Sequence, residues 1–194
     1  RVVPKGFTRL LGKLSELTDR GVAVHFFPGN HDLWAFDYLQ TECGVVLHRA
    51  DYEILALAGK RVFIGHGDVF GKRGRGGRLL SRVFRSRAIQ WVFSTFVHPN
   101  AAMRFGHWWS GKSRKSHAAD TLDVSLTEPL IQYAREYAAM HDVDHFVFGH
   151  MHFPRDFREG NLHVINLGCW EQYPSYAVLD ASGELTLRRL EAFR

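Results

Sequence analysis

The sequence predicts a mixed α/β fold, and three observations carry that reading. Short apolar runs at Val22–Phe27, Lys60–Gly65 and His145–Gly149 each lead into a glycine-bearing loop, the pattern of strands covered on both faces. Phe7, Leu10, Leu11, Leu14 and Leu17 stand at helical spacing before the first run, with Gly21 as the stop. Thr127-Glu128-Pro129 marks a second helix start before the third run, with Thr127 as cap and Pro129 in the first turn.

At 194 residues the chain fits one domain, 1–194, large enough to bury a sizeable core. In chain order the expectation is helix, buried strand and loop, then the strand Lys60–Gly65, then a helix from Thr127 to about Met140 that crosses over to the strand at His145. Short strands close the chain at Leu162–Asn166, Ser175–Asp180 and Leu185–Leu190, the last two around a Ser182-Gly183 turn. Residues 71–116 break this rhythm and read as an insertion over the strand ends. It opens with the basic, glycine-rich Gly71–Gly77, continues as a helix from Arg78 to about Val97, and has a second helical piece within Asn100–Trp109.

Composition narrows the function classes. An apolar fraction of 45% with 23% charged residues is that of a globular protein. Cys43 and Cys169 are isolated, which excludes a disulfide framework or a thiolate zinc site and suits a reducing cytoplasm. No apolar run approaches the roughly 20 residues a membrane helix needs, and Arg1–Lys5 lacks the apolar centre of a signal peptide. The net charge is +5, and Lys72–Lys115 contains no Asp or Glu, so that block calls for an anionic partner. A phosphorylated substrate and an anionic membrane surface both fit. No nucleic-acid partner is expected, because bulky aliphatic residues share the segment and no nucleic-acid motif accompanies it.

Of the 12 histidines, His25, His48, His141, His145 and His163 read as surface or satisfied core residues. The others of interest sit in strand-end loops: Gly29-Asn30-His31-Asp32, Gly65-His66-Gly67-Asp68 and Gly149-His150-Met151-His152, with Asn166-Leu167-Gly168-Cys169 as a fourth loop. Ligands of open α/β sheets gather beyond the carboxyl ends of the strands, where these loops lie. Glycine beside each polar residue lets the backbone turn sharply, and imidazole, amide and carboxylate oxygen suit manganese, iron or zinc. Two such ions clamp a phosphoryl group and supply a hydroxide nucleophile.

Taken in this order, Gly-Asn-His-Asp, Gly-His-Gly-Asp and Gly-His-x-His resemble the second half of the calcineurin-like metallophosphoesterase signature, and the likeness runs the length of the chain. The resemblance implies a four-layer α/β/β/α sandwich with a helical lid insertion, and a site for two divalent ions, manganese first, with iron or zinc as alternatives. It implies that Asn30, His66 and His150 ligate one metal and His152 the other, with His31 beside the scissile group as general acid or oxygen holder. Within the superfamily the chain looks most like the UDP-2,3-diacylglucosamine hydrolases of lipid A synthesis. That likeness rests on the basic, aromatic insertion, on Ser113-Arg114-Lys115-Ser116, and on Asn166–Trp170 followed by Tyr176-Ala177-Val178-Leu179.

Members cleave the pyrophosphate of a UDP-linked diacyl sugar, which implies a peripheral place on the cytoplasmic face of the inner membrane. In the insertion, Trp91 and Phe93 are candidates for acyl chains. Arg78, Arg82, Lys112, Ser113, Arg114 and Lys115 are candidates for phosphate or uridyl groups.

The family's opening motifs, Asp-x-His and Gly-Asp-x-x-Asp, are not found in the sequence, which is expected to lack an N-terminal β-α-β portion of roughly 50–60 residues. The chain alone is therefore expected to be inactive. The alternatives are a nucleotide or phosphodiester hydrolase of the same superfamily and a non-catalytic, membrane-associated binding protein of the same fold.

Overall fold

Successive side chains of a strand point to opposite faces, and in the runs at Lys60–Gly65 and His145–Phe148 both faces are covered. The computed structural model describes residues 6–30, 32, 36–70, 86–98, 101, 104, 106, 127–170 and 172–190. The chain divides into two compact units, Arg1–His48 with Arg73–Thr121, and Arg49–Lys72 with Leu122–Arg194.

In the first unit, α1 (Thr8–Asp19) ends as the glycine signal predicts. Gly21 takes φ +80°, its N–H donates to Thr18 O at 2.9 Å, and Val22 N–H donates to Leu17 O at 3.0 Å, the two bonds of a Schellman cap. The Thr18 hydroxyl donates to Cys43 O at 2.7 Å, tying α1 to the end of α2 (Tyr38–Cys43).

The strand expected over Val22–Phe27 is shorter and less buried than the sequence suggests. Only His25–Phe26 form β1, paired in parallel with β2 (Val46–Leu47), while Val22 is 47% exposed. The short partner explains it, since among the described residues β2 alone offers β1 a ladder. Within the segment expected to be an insertion, α3 (Arg87–Phe96) occupies the later part of the expected helix, and Ala101, Arg104 and Gly106 are helical. The basic stretch at 71–85 lies outside the described residues.

The second unit is a helix, a sheet and a hairpin in three layers. Its sheet runs β3-β4-β5-β7-β6, with β4 (Lys60–Gly65), β5 (His145–Phe148) and β7 (Leu162–Asn166) parallel. The flanking β3 (Tyr52–Leu57) and β6 (Arg155–Glu159) are antiparallel to their neighbours. On one face Phe63, Phe146, Phe148 and Val164 pack on Leu130, Ile131 and Ala134 of α4 (Glu128–Ala138). On the other, Val62, Val147 and Ile165 meet Leu185 from the hairpin of β8 (Ser175–Leu179) and β9 (Leu185–Arg189). This unit thus supplies an α/β/β stack of the expected layer order.

Two strands escaped the sequence reading. β3 pairs with β4 around Ala58 and Gly59, which take φ +47° and +74°, and β6 pairs with β7 around Gly160 and Asn161. Glycine in a two-residue turn between β runs is the signal that marks both hairpins.

The capping role expected of Thr127 is not seen. Its hydroxyl caps no backbone N–H and instead accepts from Arg155 Nη1, which also reaches Glu128 at 3.1 Å. A charged donor from β6 outcompetes the local bond.

The histidines set aside as structural are all engaged. His25 Nδ1 faces His48 Nε2 at 2.8 Å, and the His141 ring lies 4.3 Å from that of Tyr137. His163, only 5% exposed, faces His145 at 3.0 Å and Asp156 at 2.9 Å. His145 in turn faces Gly183 O at 3.0 Å, fastening the hairpin turn to the amino end of the parallel strands. Burial lowers the basicity of His163, and Asp156 opposes that shift.

Phe63 is fully buried, stacked on Tyr52 at 4.3 Å and edge-on to Phe148 at 5.7 Å. Phe63→Ala should therefore cost about 3–5 kcal/mol of unfolding free energy in urea titrations. A loss under 1 kcal/mol would mean that the aromatic cluster closes over the gap.

Asp144 accepts from Arg61 N–H at 2.8 Å and from Lys60 Nζ at 3.1 Å, which together hold its carboxyl below the ordinary 3.8. A depressed carboxyl contributes stability that is present above the unfolded value and lost as pH falls through the folded one. Asp144→Asn should flatten the fall of melting temperature below about pH 4. An unchanged acid limb would show that the contact contributes nothing.

Candidate functional site

Strands buried on both faces leave their polar chemistry at the ends, and three parallel strands of the second unit end together. His66 follows β4, His150 and His152 follow β5, and Asn166 is the last residue of β7. The two histidine loops are joined through the backbone, Gly149 N–H donating to His66 O at 3.0 Å. Their rings meet edge to face, with centroids of His66 and His150 5.2 Å apart at 71°.

Glycine makes the approach affordable sterically. A Cβ at Gly149 would stand 3.3 Å from His66 Nδ1, and one at Gly67, where φ is +106°, would stand 3.3 Å from His150 Cβ. His150 itself takes φ +32°, a left-handed backbone that side chains rarely adopt and that costs of order 1–3 kcal/mol. Asp68, in the same loop as His66, is 6% exposed.

His152 is exposed and is held through its backbone. Asn166 Nδ2 donates to Met151 O and to Phe153 O, both at 2.6 Å, and Cys169 N–H donates to His152 O at 3.2 Å. Gly168, at φ +77°, lies so close to Pro154 that a Cβ there would come within 2.8 Å of the proline ring and nitrogen. Asn166 is 2% exposed, and its Oδ1 is buried without a hydrogen-bond partner among the described residues. Such an orphan costs roughly 1–3 kcal/mol. Asn166 is a functional candidate to which no sequence motif gives a role; its one local signal is a polar residue closing an apolar strand.

Of the expected site residues, the second unit brings His66 and His150 into contact and carries His152 two positions on. Asn30 is exposed in the loop after β1 of the first unit, beside Gly29, whose N–H donates to Asp32 at 3.2 Å. On α3, Trp91 is 62% exposed and Phe93 half-buried. Phe93 joins Ala88, Ile89, Val92, Phe96 and Val97 around a shallow apolar hollow. His31, Arg78, Arg82, Lys112, Ser113, Arg114 and Lys115 lie outside the described residues.

Two imidazoles in ring contact at adjacent strand ends, both half-buried, are a nitrogen donor pair suited to manganese, iron or zinc. Among the described residues no group of three or more His, Cys, Asp or Glu side chains gathers closely enough to hold an ion. The pair thus fits as part of a ligand set.

Residues 3–154 match the family model for calcineurin-like phosphoesterases. The chain is 37% identical to a UDP-2,3-diacylglucosamine hydrolase of Porphyromonas gingivalis, the match covering 98% of this chain and 77% of the relative. It is 26% identical to the enzyme of that name from Edwardsiella ictaluri, covering 90% and 68%. A solved archaeal phosphodiesterase aligns at a TM-score of 0.42 and 14% identity, covering 91% of this chain and 74% of that one. On the strength of the family model and of the 37% identity across nearly its whole length, this chain belongs to the calcineurin-like phosphoesterases.

Proposed function

We propose that the protein hydrolyses the pyrophosphate bond of a UDP-2,3-diacylglucosamine-like lipid, water adding to phosphorus to release UMP and a lipid monophosphate. The observation that carries the reading is the meeting of His66 and His150 beyond the ends of β4 and β5, in a chain whose relatives bear that hydrolase name. Asn30, His66 and His150 would hold one divalent ion and His152 a second, with manganese the first choice. When bound, the ions supply Lewis acidity and a hydroxide at neutral pH.

The chain's own residues do the rest. His31, next to Asn30, would hold the phosphoryl oxygens or give a proton to the leaving group. The insertion at 71–116 would act as a lid, Trp91 and Phe93 of α3 meeting acyl chains. Arg78, Arg82, Lys112, Ser113, Arg114 and Lys115 would meet the phosphates and uridine. A diacyl substrate places the work at an anionic membrane surface, on its cytoplasmic face. No helix among the described residues is long and apolar enough to cross a membrane.

Release of UMP from the lipid substrate by the native gene product, dependent on added Mn2+, is the expected result. Hydrolysis of small phosphodiesters with none of the lipid would point to a nucleotide or phosphodiester hydrolase, and loss of both to a binding protein.

In the native gene product, His150→Ala should lower kcat/KM by about 100-fold or more, with partial recovery at high metal. An unchanged rate in metal-controlled buffer would remove His150 from the site.

Trp91→Ala with Phe93→Ala should weaken turnover of the diacylated substrate roughly tenfold and spare a small soluble phosphodiester, because only the remote binding energy is lost. Equal loss on both substrates would assign the two aromatics to packing.

A further inference from the structure

We propose that Asn166 is a positioning residue that sets the His150–His152 loop for metal binding; the inference rests on the metal reading given above. Its place in the sheet is the first reason. Asn166 is the cross-strand partner of Phe148, the last residue of β5, and of Arg155, the first of β6. The loop 149–154 leaves one of these strands and enters the other, so Asn166 stands between its two stems.

The second reason is the pattern of bonds. Nδ2 reaches Met151 O and Phe153 O at 2.6 Å each, the carbonyls on either side of His152. Reversing the amide would set Oδ1 against two carbonyl oxygens, so hydrogen-bond chemistry dictates its orientation. Cys169 N–H, at 3.2 Å from His152 O, completes a backbone grip on three successive residues. The His152 side chain is thereby left exposed while its backbone is fixed.

The third reason is what this arrangement gives up. Asn166 is 2% exposed and Oδ1 has no partner among the described residues, so the buried amide leaves one atom unsatisfied while Nδ2 makes two bonds. No aliphatic residue could hold two carbonyls at once. An amide kept for two donor bonds at the cost of one unpartnered oxygen fits a site that needs its loop in one shape, and His150 at φ +32° is a strained feature of that same loop.

The test uses the native gene product with Mn2+ alone, following paramagnetic broadening of the imidazole NMR signals of His66, His150 and His152, with exposed His141 as internal reference. In the parent the three signals should broaden together, ahead of His141. Asn166→Asp, which sets a carboxylate against both carbonyls, should raise the Mn2+ midpoint tenfold or more, and Asn166→Ser, which keeps one donor, should raise it less. Val164→Ala, a core truncation on the same strand, controls for lost stability and should leave the midpoint unchanged.

If the Asn166 variants lose melting temperature with the midpoint unmoved, or if Val164→Ala moves it equally, Asn166 is a structural residue and the proposal is overturned. If the parent shows no selective broadening, the metal reading itself falls and the proposal with it. Should Asn166→Asp fail to fold, Asn166→Ser decides alone, a midpoint equal to the parent's overturning the proposal.

Discussion

The constraint on which the second unit depends is that β4, β5 and β7 are covered on both faces. Phe63, Phe146, Phe148 and Val164 face α4, while Val62, Val147 and Ile165 face the β8–β9 hairpin. A strand with no solvent-facing side has no inexpensive place for a charge along its length, so polar chemistry is displaced to its two ends. At the amino ends sit His145 and His163, locked with Asp156 and the Gly183 carbonyl in a structural network. At the carboxyl ends sit His66, His150 and His152 with their glycines. The same residue type thus serves architecture at one edge of the sheet and gathers in glycine-bearing loops at the other.

The two ends differ in how their backbone is treated. Around His163 the contacts are side chain to side chain, and the flanking strands are regular. Around His150 the histidine takes a left-handed φ, Gly149 admits the His66 ring and Gly67 the His150 Cβ, and a buried amide oxygen has no partner among the described residues. The left-handed His150 and the unpartnered oxygen oppose stability, and such features gather at sites held for use rather than for packing. The compensation lies a few ångströms away, in an aromatic cluster where Phe63, Phe70, Tyr133 and Tyr137 pack tightly enough that burial raises the Tyr133 hydroxyl to about 12.

The segment that holds α3 follows a different logic. Its helix α3 presents Trp91, Val92 and Phe96 to solvent, and a short amphipathic helix gains its stability from whatever covers its apolar side.

By itself the sequence determined the elements with strong local signals and the chemistry that follows them. Gly21 ended α1 through backbone geometry alone, the apolar runs at Lys60 and His145 became strands, and the Gly-His motifs named the family before any fold was seen. Those are short-range facts, set by periodicity, glycine conformation and residue chemistry. Only the tertiary structure decided the rest. It reduced Val22–Phe27 to a two-residue strand because the partner β2 is short, and it turned the Thr127 hydroxyl from a cap into an acceptor for Arg155. It also made Asn166 the grip on the His152 loop, since only the pairing of β7 with both β5 and β6 places one amide between two carbonyls far away in the chain. Such roles depend on which strands become neighbours, and that is settled by the packing of whole faces rather than by any local run of residues.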